Sequence, residues 1–150
     1  RDGEEYGLMQ LHPKDTGGSF FEIDEQRGEN AQELDGPWHP AGPNWQRAKR
    51  LERVSGISAA EIQCEDPGAV ASKWSEIAQI PLTNNTLSLD NATLRFVECL
   101  DGRPEGLGAI DVICTDRDAV LGSAQKLDAQ SAENQVMLCG IRINLVKEQG

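Results

Sequence analysis

The stretch GISAAEIQCEDPGAV at residues 56–70 returns as GLGAIDVICTDRDAV at residues 106–120, and this pair decides the fold. The two stretches align without a gap at a constant offset of fifty residues, with Gly, Ala, Cys, Asp, Ala and Val identical at matched positions. A match at a fixed period indicates a repeated structural unit. We therefore predict two copies of one unit that superpose at this offset.

Each copy has the pattern of a strand, a helix and further strands. The first strand of each copy is an apolar run, and the later runs are short and rich in β-branched residues. The predicted strands are 57–64, 86–90 and 93–99 in the first copy, and 107–114, 136–139 and 141–147 in the second. Asp90-Asn91 and Cys139-Gly140 are the predicted tight turns. A sheet covered by helices on one side is an α+β architecture.

The helices are predicted near 67–79 and 116–128. Asp66 and Asp116 precede these segments and suit the N-cap position, and Pro67 suits the first helical turn. Apolar residues at helical spacing continue both segments, which predicts a face that packs on the sheet.

The N-terminal part reads as a hairpin and a connector. Strands are predicted at 6–12 and 19–24, separated by dense turn chemistry. An isolated hairpin is marginally stable, so we expect it to join the sheet of the repeat or to exchange into a second chain. The predicted divisions are 1–25 for the hairpin, 26–53 for an ordered connector, and 54–147 for the module pair, with copies at 54–100 and 104–147.

Composition argues against several partners. The 150 residues carry 25 acidic and 14 basic side chains, a net charge of −11, which would repel a phosphate backbone. No apolar run or leader suggests a membrane span or export, so a cytoplasmic protein with no nucleic-acid or membrane partner is expected. None of the four cysteines lies in a C-x-x-C pair, and reduced core thiols are predicted.

The stretch LHPKDTGGSFFEI at residues 11–23 resembles the closing strands of methylmalonyl-CoA epimerases. These belong to the vicinal-oxygen-chelate superfamily, with glyoxalase I, extradiol dioxygenases and bleomycin-resistance proteins. The resemblance implies βαβββ modules that form a curved mixed sheet around a cavity, with helices on the outer face. The repeat then resembles two such modules, and residues 1–25 resemble the closing hairpin of an upstream module.

The resemblance places Glu22 at the position of a metal ligand. It implies a divalent metal ion, such as Mg²⁺, Mn²⁺, Co²⁺, Ni²⁺, Zn²⁺ or iron, that acts as a Lewis acid on an enediolate or enolate. The local pattern alone favours a surface glutamate beside Asp24 and Glu25, since exposed Glu is common. The motif is what favours the interpretation as a metal ligand. His12 is interpreted as the end of a strand before Pro13, and His39 as a packed loop residue.

The repeat departs from the metal-binding pattern of the family. Its starting positions are Ala59 and Ala109, and its closing positions are interpreted as Asn144 and Val97, or Glu98 if the register slips by one. Ala and Val cannot bind a metal, and neutral Asn replaces a carboxylate poorly. The duplicated pair is therefore predicted to be free of metal.

Three functional hypotheses stay open. The first is a metal-dependent lyase or isomerase of the glyoxalase or epimerase kind, acting on a small oxygen-rich substrate, with a site completed by residues upstream of Arg1. The second is a metal-free module that binds or sequesters a small molecule, as bleomycin-resistance proteins do. The third is a structural pair that caps or dimerises a functional half. A homodimer is a further expectation.

Overall fold

The two copies form one sheet of eight strands. This computed structural model describes residues 4–147. The first copy comprises β3 (Val54–Cys64), α2 (Pro67–Ala78), β4 (Leu82–Thr83), β5 (Thr86–Ser88) and β6 (Thr93–Glu98). The second comprises β7 (Gly106–Cys114), α3 (Arg117–Lys126), β8 (Gln130–Ala132), β9 (Gln135–Leu138) and β10 (Ile141–Val146). The strand order is β4-β5-β6-β3-β7-β10-β9-β8, in a curved sheet that does not close. The predicted α+β fold of paired βαβββ modules is confirmed.

A local twofold relation joins the copies. In each, the first strand runs parallel to the last, and the two first strands meet antiparallel at the centre of the sheet. There, Glu61 lies opposite Ala109, and Asp111 lies opposite Ala59. Matched residues of the copies are thus brought to equivalent places on either side of the sheet's middle.

Both predicted helices are present and begin at the predicted caps. The Asp66 carboxylate accepts a hydrogen bond from the Ala69 amide at 2.9 Å, and Asp116 accepts one from the Ala119 amide at 3.0 Å. Each cap satisfies an amide that the first helical turn leaves without a partner. The repeated Asp therefore sets where each helix starts.

The helices cover the same face of the sheet with two apolar cores. The first core joins Trp74 of α2 to Ile62, Leu87 and Phe96 of the strands. The second joins α3 to the strands through four buried residues, Val112, Ala124, Val136 and Leu145. The opposite face, which we call the open face, carries no helix in the part of the chain that is described.

Several local expectations needed correction. The strands β4 and β8 were not predicted, because two or three residues are too few to show a period. The Cys139-Gly140 turn is confirmed, with φ of 51° and 77°. The turn leaves Cys139 exposed, so the prediction of a core thiol is wrong there, whereas Cys64 is fully buried. No helix within residues 4–147 has the length and apolar character needed to cross a membrane.

The N-terminal hairpin packs on a helix and does not join the large sheet. It consists of β1 (Tyr6–Leu11), one helical turn, α1 (Pro13–Thr16), and β2 (Phe21–Gln26). Within residues 4–147, β1 pairs only with β2. The Phe21 ring meets the Trp74 ring edge-on with centroids 4.6 Å apart, and the Trp74 indole donates to the Thr16 carbonyl at 3.2 Å. The expectation that the hairpin joins the sheet of the repeat is wrong, because the apolar side of the hairpin packs on α2 instead. The alternative, exchange of the hairpin into a second chain, stays a prediction.

Candidate ligand-binding face

Charged residues of the first strands point to the open face. Side chains alternate along a strand, so the neighbours of the core residues Ile62 and Val112 face away from the helices. These neighbours are Glu61 and Asp111, matched at the offset of fifty. Both are largely buried, with side chains 17% and 14% exposed. Each copy therefore contributes one carboxylate to the middle of the open face.

Arg95 of β6 bridges the two carboxylates. Its Nη1 donates to Asp111 Oδ2 at 2.9 Å, and its Nη2 donates to Asp111 Oδ1 at 3.0 Å and to Glu61 Oε1 at 2.7 Å. The hydrogen bonds with Asp111 raise the pKa of Arg95 above its ordinary value. Burial opposes ionisation of Asp111, yet bonds from Arg95 and Asn144 outweigh it and lower the pKa of that carboxyl. The guanidinium is thus the shared counter-ion of both copies.

Asn144 holds the equivalent place in the second copy. It lies opposite Asp111 in the parallel pair β10–β7, as Arg95 lies opposite Glu61 in β6–β3. Its amide donates to Asp111 Oδ1 at 2.8 Å. The counterpart of Asn144 is therefore Arg95, and the interpretation as Val97 or Glu98 is wrong. The offset has slipped from fifty at the first strands to forty-nine at the last.

A second group extends the network across the sheet. Arg142 donates to Glu61 Oε2 at 3.2 Å and also bonds Asp101. Arg103 donates to Asp101 at 3.0 Å through Nε and to the buried Gln63 Oε1 at 3.0 Å. Three carboxylates and three guanidiniums alternate in one chain of ion pairs. Such a network fixes side-chain positions, and its own charges balance.

The carboxyl of Asp101 predicts an acid-sensitive step in stability. The hydrogen bond from Arg103 lowers the pKa of Asp101 from 3.8 to about 2. A lowered pKa stabilises the folded state above the unfolded pKa, and this stabilisation is lost as the pH falls toward the folded value. We therefore expect the free energy of unfolding to fall between about pH 4 and pH 2. Urea titrations across this range should show a shallower fall for Asp101→Asn, and equal slopes would contradict the assignment.

A cleft of about 540 Å³ opens beside Arg95 and Asp111. Its charged lining residues are Arg95, Asp111 and the exposed Lys147. The other lining residues carry apolar side chains or hydroxyls, among them Ser58, Leu89, Thr93, Ile113 and Val146. A few polar groups beside apolar walls suit a small molecule with one polar end.

Glu22 lies apart from this network. It is exposed on β2, in the hairpin that packs on α2, and its carboxylate accepts a 2.5 Å hydrogen bond from Gln10 Nε2. Within residues 4–147 no group of three or more His, Cys, Asp or Glu is placed to hold a metal ion. The described surroundings of Glu22 do not supply a full coordination set, so its role as a metal ligand stays a prediction.

The remaining candidates have local roles. His12 follows β1 as predicted, and its Nδ1 accepts a hydrogen bond from the Lys14 amide at 3.1 Å. His39 stacks on Tyr6 with ring centroids 5.0 Å apart. Ala59 and Ala109 are 2% and 0% exposed at the centre of the sheet. None of these four residues carries the charge of the open face.

The sequence contains a signal for the network, in the form of charged residues inside apolar strands. Glu61 and Asp111 are acidic residues at matched positions inside otherwise apolar strands, and Arg95 interrupts another such run. A charge at the centre of a buried strand needs a partner, because burying it alone is costly. The two acids and the base could have been predicted to meet.

Comparisons with known proteins do not extend this description. No protein-family model matches the chain, and a search of curated proteins found no match. The class of protein is thus defined by fold and by the open face. It is an α+β protein of two βαβββ modules joined through their first strands, with a polar cleft on the side free of helices.

Proposed function

We propose that this chain is a metal-free small-molecule-binding module, of the kind found in bleomycin-resistance proteins of the vicinal-oxygen-chelate superfamily. The observation that supports it most is Arg95, which occupies the point where the carboxylates of the two copies converge. A guanidinium there already pairs with both Glu61 and Asp111, leaving them less available to a cation. The repeat contributes recognition groups, and no residue in it is proposed as an acid, base or nucleophile.

The residues that line the cleft indicate the chemical kind of ligand. Arg95 uses Nη1 and Nη2 on carboxylates, and within residues 4–147 its Nε–H has no protein acceptor. An oxygen of a ligand can accept that hydrogen, while an apolar body contacts Leu89, Ile113 and Val146. Because Arg95 and Asp111 already pair with each other and Lys147 is exposed to solvent, we propose a neutral molecule with a carbonyl or hydroxyl at one end.

Filling the cleft tests this proposal. Thr93→Leu adds apolar volume to the cleft and removes no charge, so we expect it to weaken binding at least tenfold. Thr83→Leu, the same change on the exposed edge strand β4, serves as the matched control. A panel of small neutral carbonyl and hydroxyl compounds is screened by ligand-observed NMR in EDTA, and affinities are measured by calorimetry. Unchanged affinity in Thr93→Leu would place the ligand elsewhere.

A metal-dependent lyase or isomerase is the second proposal, and it concerns Glu22. The resemblance over residues 11–23 suggests it, and the exposure of Glu22 leaves this carboxylate accessible to a metal ion. Glu22→Ala should then abolish metal retention and turnover of a longer protein without unfolding it. Metal analysis of both forms is the measurement. Equal metal content, with a stability change below about 0.5 kcal/mol, is the result for a surface glutamate.

Thiol content and net charge bear on the location and partners of the protein. Four free thiols suit a reducing compartment, which supports a cytoplasmic protein. The net charge of −11 supports a module without a nucleic-acid partner. A homodimer, whether through exchange of the hairpin or through another surface, is proposed for test by light scattering.

A further inference from the structure

A second cleft, of about 620 Å³, opens in the connector. Three ring side chains line it: Trp38, His39 and Trp45. Tyr6 orients two of them, since its ring stacks on His39 at 5.0 Å and meets Trp38 edge-on at 6.1 Å. Tyr6 therefore holds the Trp38 and His39 rings in place, although Trp38 is 38% exposed. This cleft shares no residue with the one at Arg95.

Specific bonds hold the connector in this shape. The Trp45 indole donates to the Gly36 carbonyl at 3.2 Å, and the His39 amide donates to Gln26 Oε1 at 3.0 Å. Gly36 is buried, and a Cβ at this position would lie 2.1 Å from the Asn30 carbonyl oxygen. The turn thus requires glycine, and the cleft is a built feature of the loop.

The charge of this cleft is one-sided. Glu5, Glu33 and Asp35 line it, and no Lys or Arg is among the described residues that do. Within residues 4–147, Glu5 and Glu33 form no ion pair. Carboxylates around aromatic faces attract a cation, since the negative face of the ring adds to the field of the acids.

Lys49, beside the cleft, makes both kinds of contact: an ion pair with an acid and a contact with an aromatic face. Its ammonium bonds Asp35 Oδ1 at 2.6 Å and lies 5.9 Å from the centroid of the Trp45 ring. The chain's own cation thus uses one carboxylate and one indole together. Trp38 and Glu33 offer the same two kinds of group without such an occupant in the described chain.

We propose that this connector cleft binds a small free organic cation with a methylated ammonium group. Methyl groups spread the charge and reduce hydration, so such a cation contacts aromatic faces at little desolvation cost. Glu5 and Glu33 supply the counter-charge, because Asp35 is already paired with Lys49. They also disfavour a ligand that carries a phosphate beside its ammonium, so a free cation fits better than a phospholipid head group.

Choline and its neutral isostere 3,3-dimethylbutan-1-ol test the proposal on the full chain. They differ in charge and match in shape. We expect choline to shift the indole NMR signals of Trp38 and Trp45 and to bind about 5- to 30-fold more tightly than the isostere. Trp38→Leu and Glu33→Gln should each weaken choline binding several-fold. Phosphocholine should bind more weakly than choline.

Glu29→Gln is the matched control, because Glu29 is exposed and lies outside the cleft lining. It should leave choline binding unchanged. If Trp38→Leu does not fold, Glu33→Gln decides, since Glu33 is exposed and its side chain is not packed. Equal binding of choline and the isostere, tighter binding of phosphocholine, equal losses in Glu29→Gln and Glu33→Gln, or absence of choline binding would each overturn the proposal.

Discussion

Trp74→Ala should lower the free energy of unfolding by about 3–5 kcal/mol, the range for removing a buried aromatic side chain. Trp74 is 5% exposed and lies between Phe21 and Phe96, at centroid distances of 4.6 and 5.5 Å. The substitution removes both ring contacts and the hydrogen bond to the Thr16 carbonyl. Urea unfolding followed by circular dichroism measures the loss.

The same variant should release the hairpin. The second copy has Ala124 at the position matched to Trp74, and no hairpin packs there within residues 4–147. Hydrogen exchange of the β1 and β2 amides should therefore accelerate in Trp74→Ala, while β10 is much less affected. Leu100→Ala, at an 85% exposed site, is the control for truncation alone. A stability loss below about 1 kcal/mol, or unchanged exchange in the hairpin, would contradict this role.

Arg95→Gln should lower the free energy of unfolding by about 2–3 kcal/mol, below the range for breaking a fully buried pair, since the Arg95 side chain is 30% exposed. The change leaves Glu61 and Asp111 close together without their shared counter-ion. Arg142 and Asn144 keep one bond each to these carboxylates and limit the loss. Arg117→Gln is the control, because Arg117 pairs with an exposed Glu133 at 3.7 Å and should contribute less than about 0.5 kcal/mol.

The pH dependence identifies the cause of the Arg95 effect. Bonds from Arg95 hold the pKa of Asp111 down, so the wild type gains stability from this pair above the ordinary carboxyl pKa. The difference in the free energy of unfolding between wild type and Arg95→Gln should be largest at neutral pH. This difference should narrow below about pH 4 as Asp111 protonates. A difference that stays constant or widens in acid would assign the loss to packing.

The sequence supported predictions where the signal was local. Asp66 and Asp116 each cap a helix through an amide three residues later, so a short motif was sufficient. The paired modules were predicted because the repeated stretches are visible in the sequence at a fixed offset. The residue of the first copy that corresponds to Asn144 could not be predicted from the fixed offset, because the offset slips by one residue between the first and last strands. Only strand register shows that Arg95 lies at that position.

The hairpin shows the other limit of such predictions. Its strands follow from alternation and turn chemistry, but its position depends on Trp74, more than fifty residues away in the sequence. The prediction of Glu22 as a metal ligand depends on a resemblance in one short stretch. The residues of the polar network, by contrast, lie on four separate strands and in the loop before β7. Tertiary contacts of this kind produce no periodic pattern in the sequence.

Mapping a ligand from the neutral-compound screen onto the EDTA-treated protein by NMR tests the central claim most directly. Backbone and arginine side-chain signals report the open face and the hairpin in one experiment. Without metal, the shifts should concentrate at Thr93, Arg95 and Asp111, and the Arg95 Nε–H signal should move. Shifts centred on Glu22 that appear only when a divalent ion is added would contradict the claim.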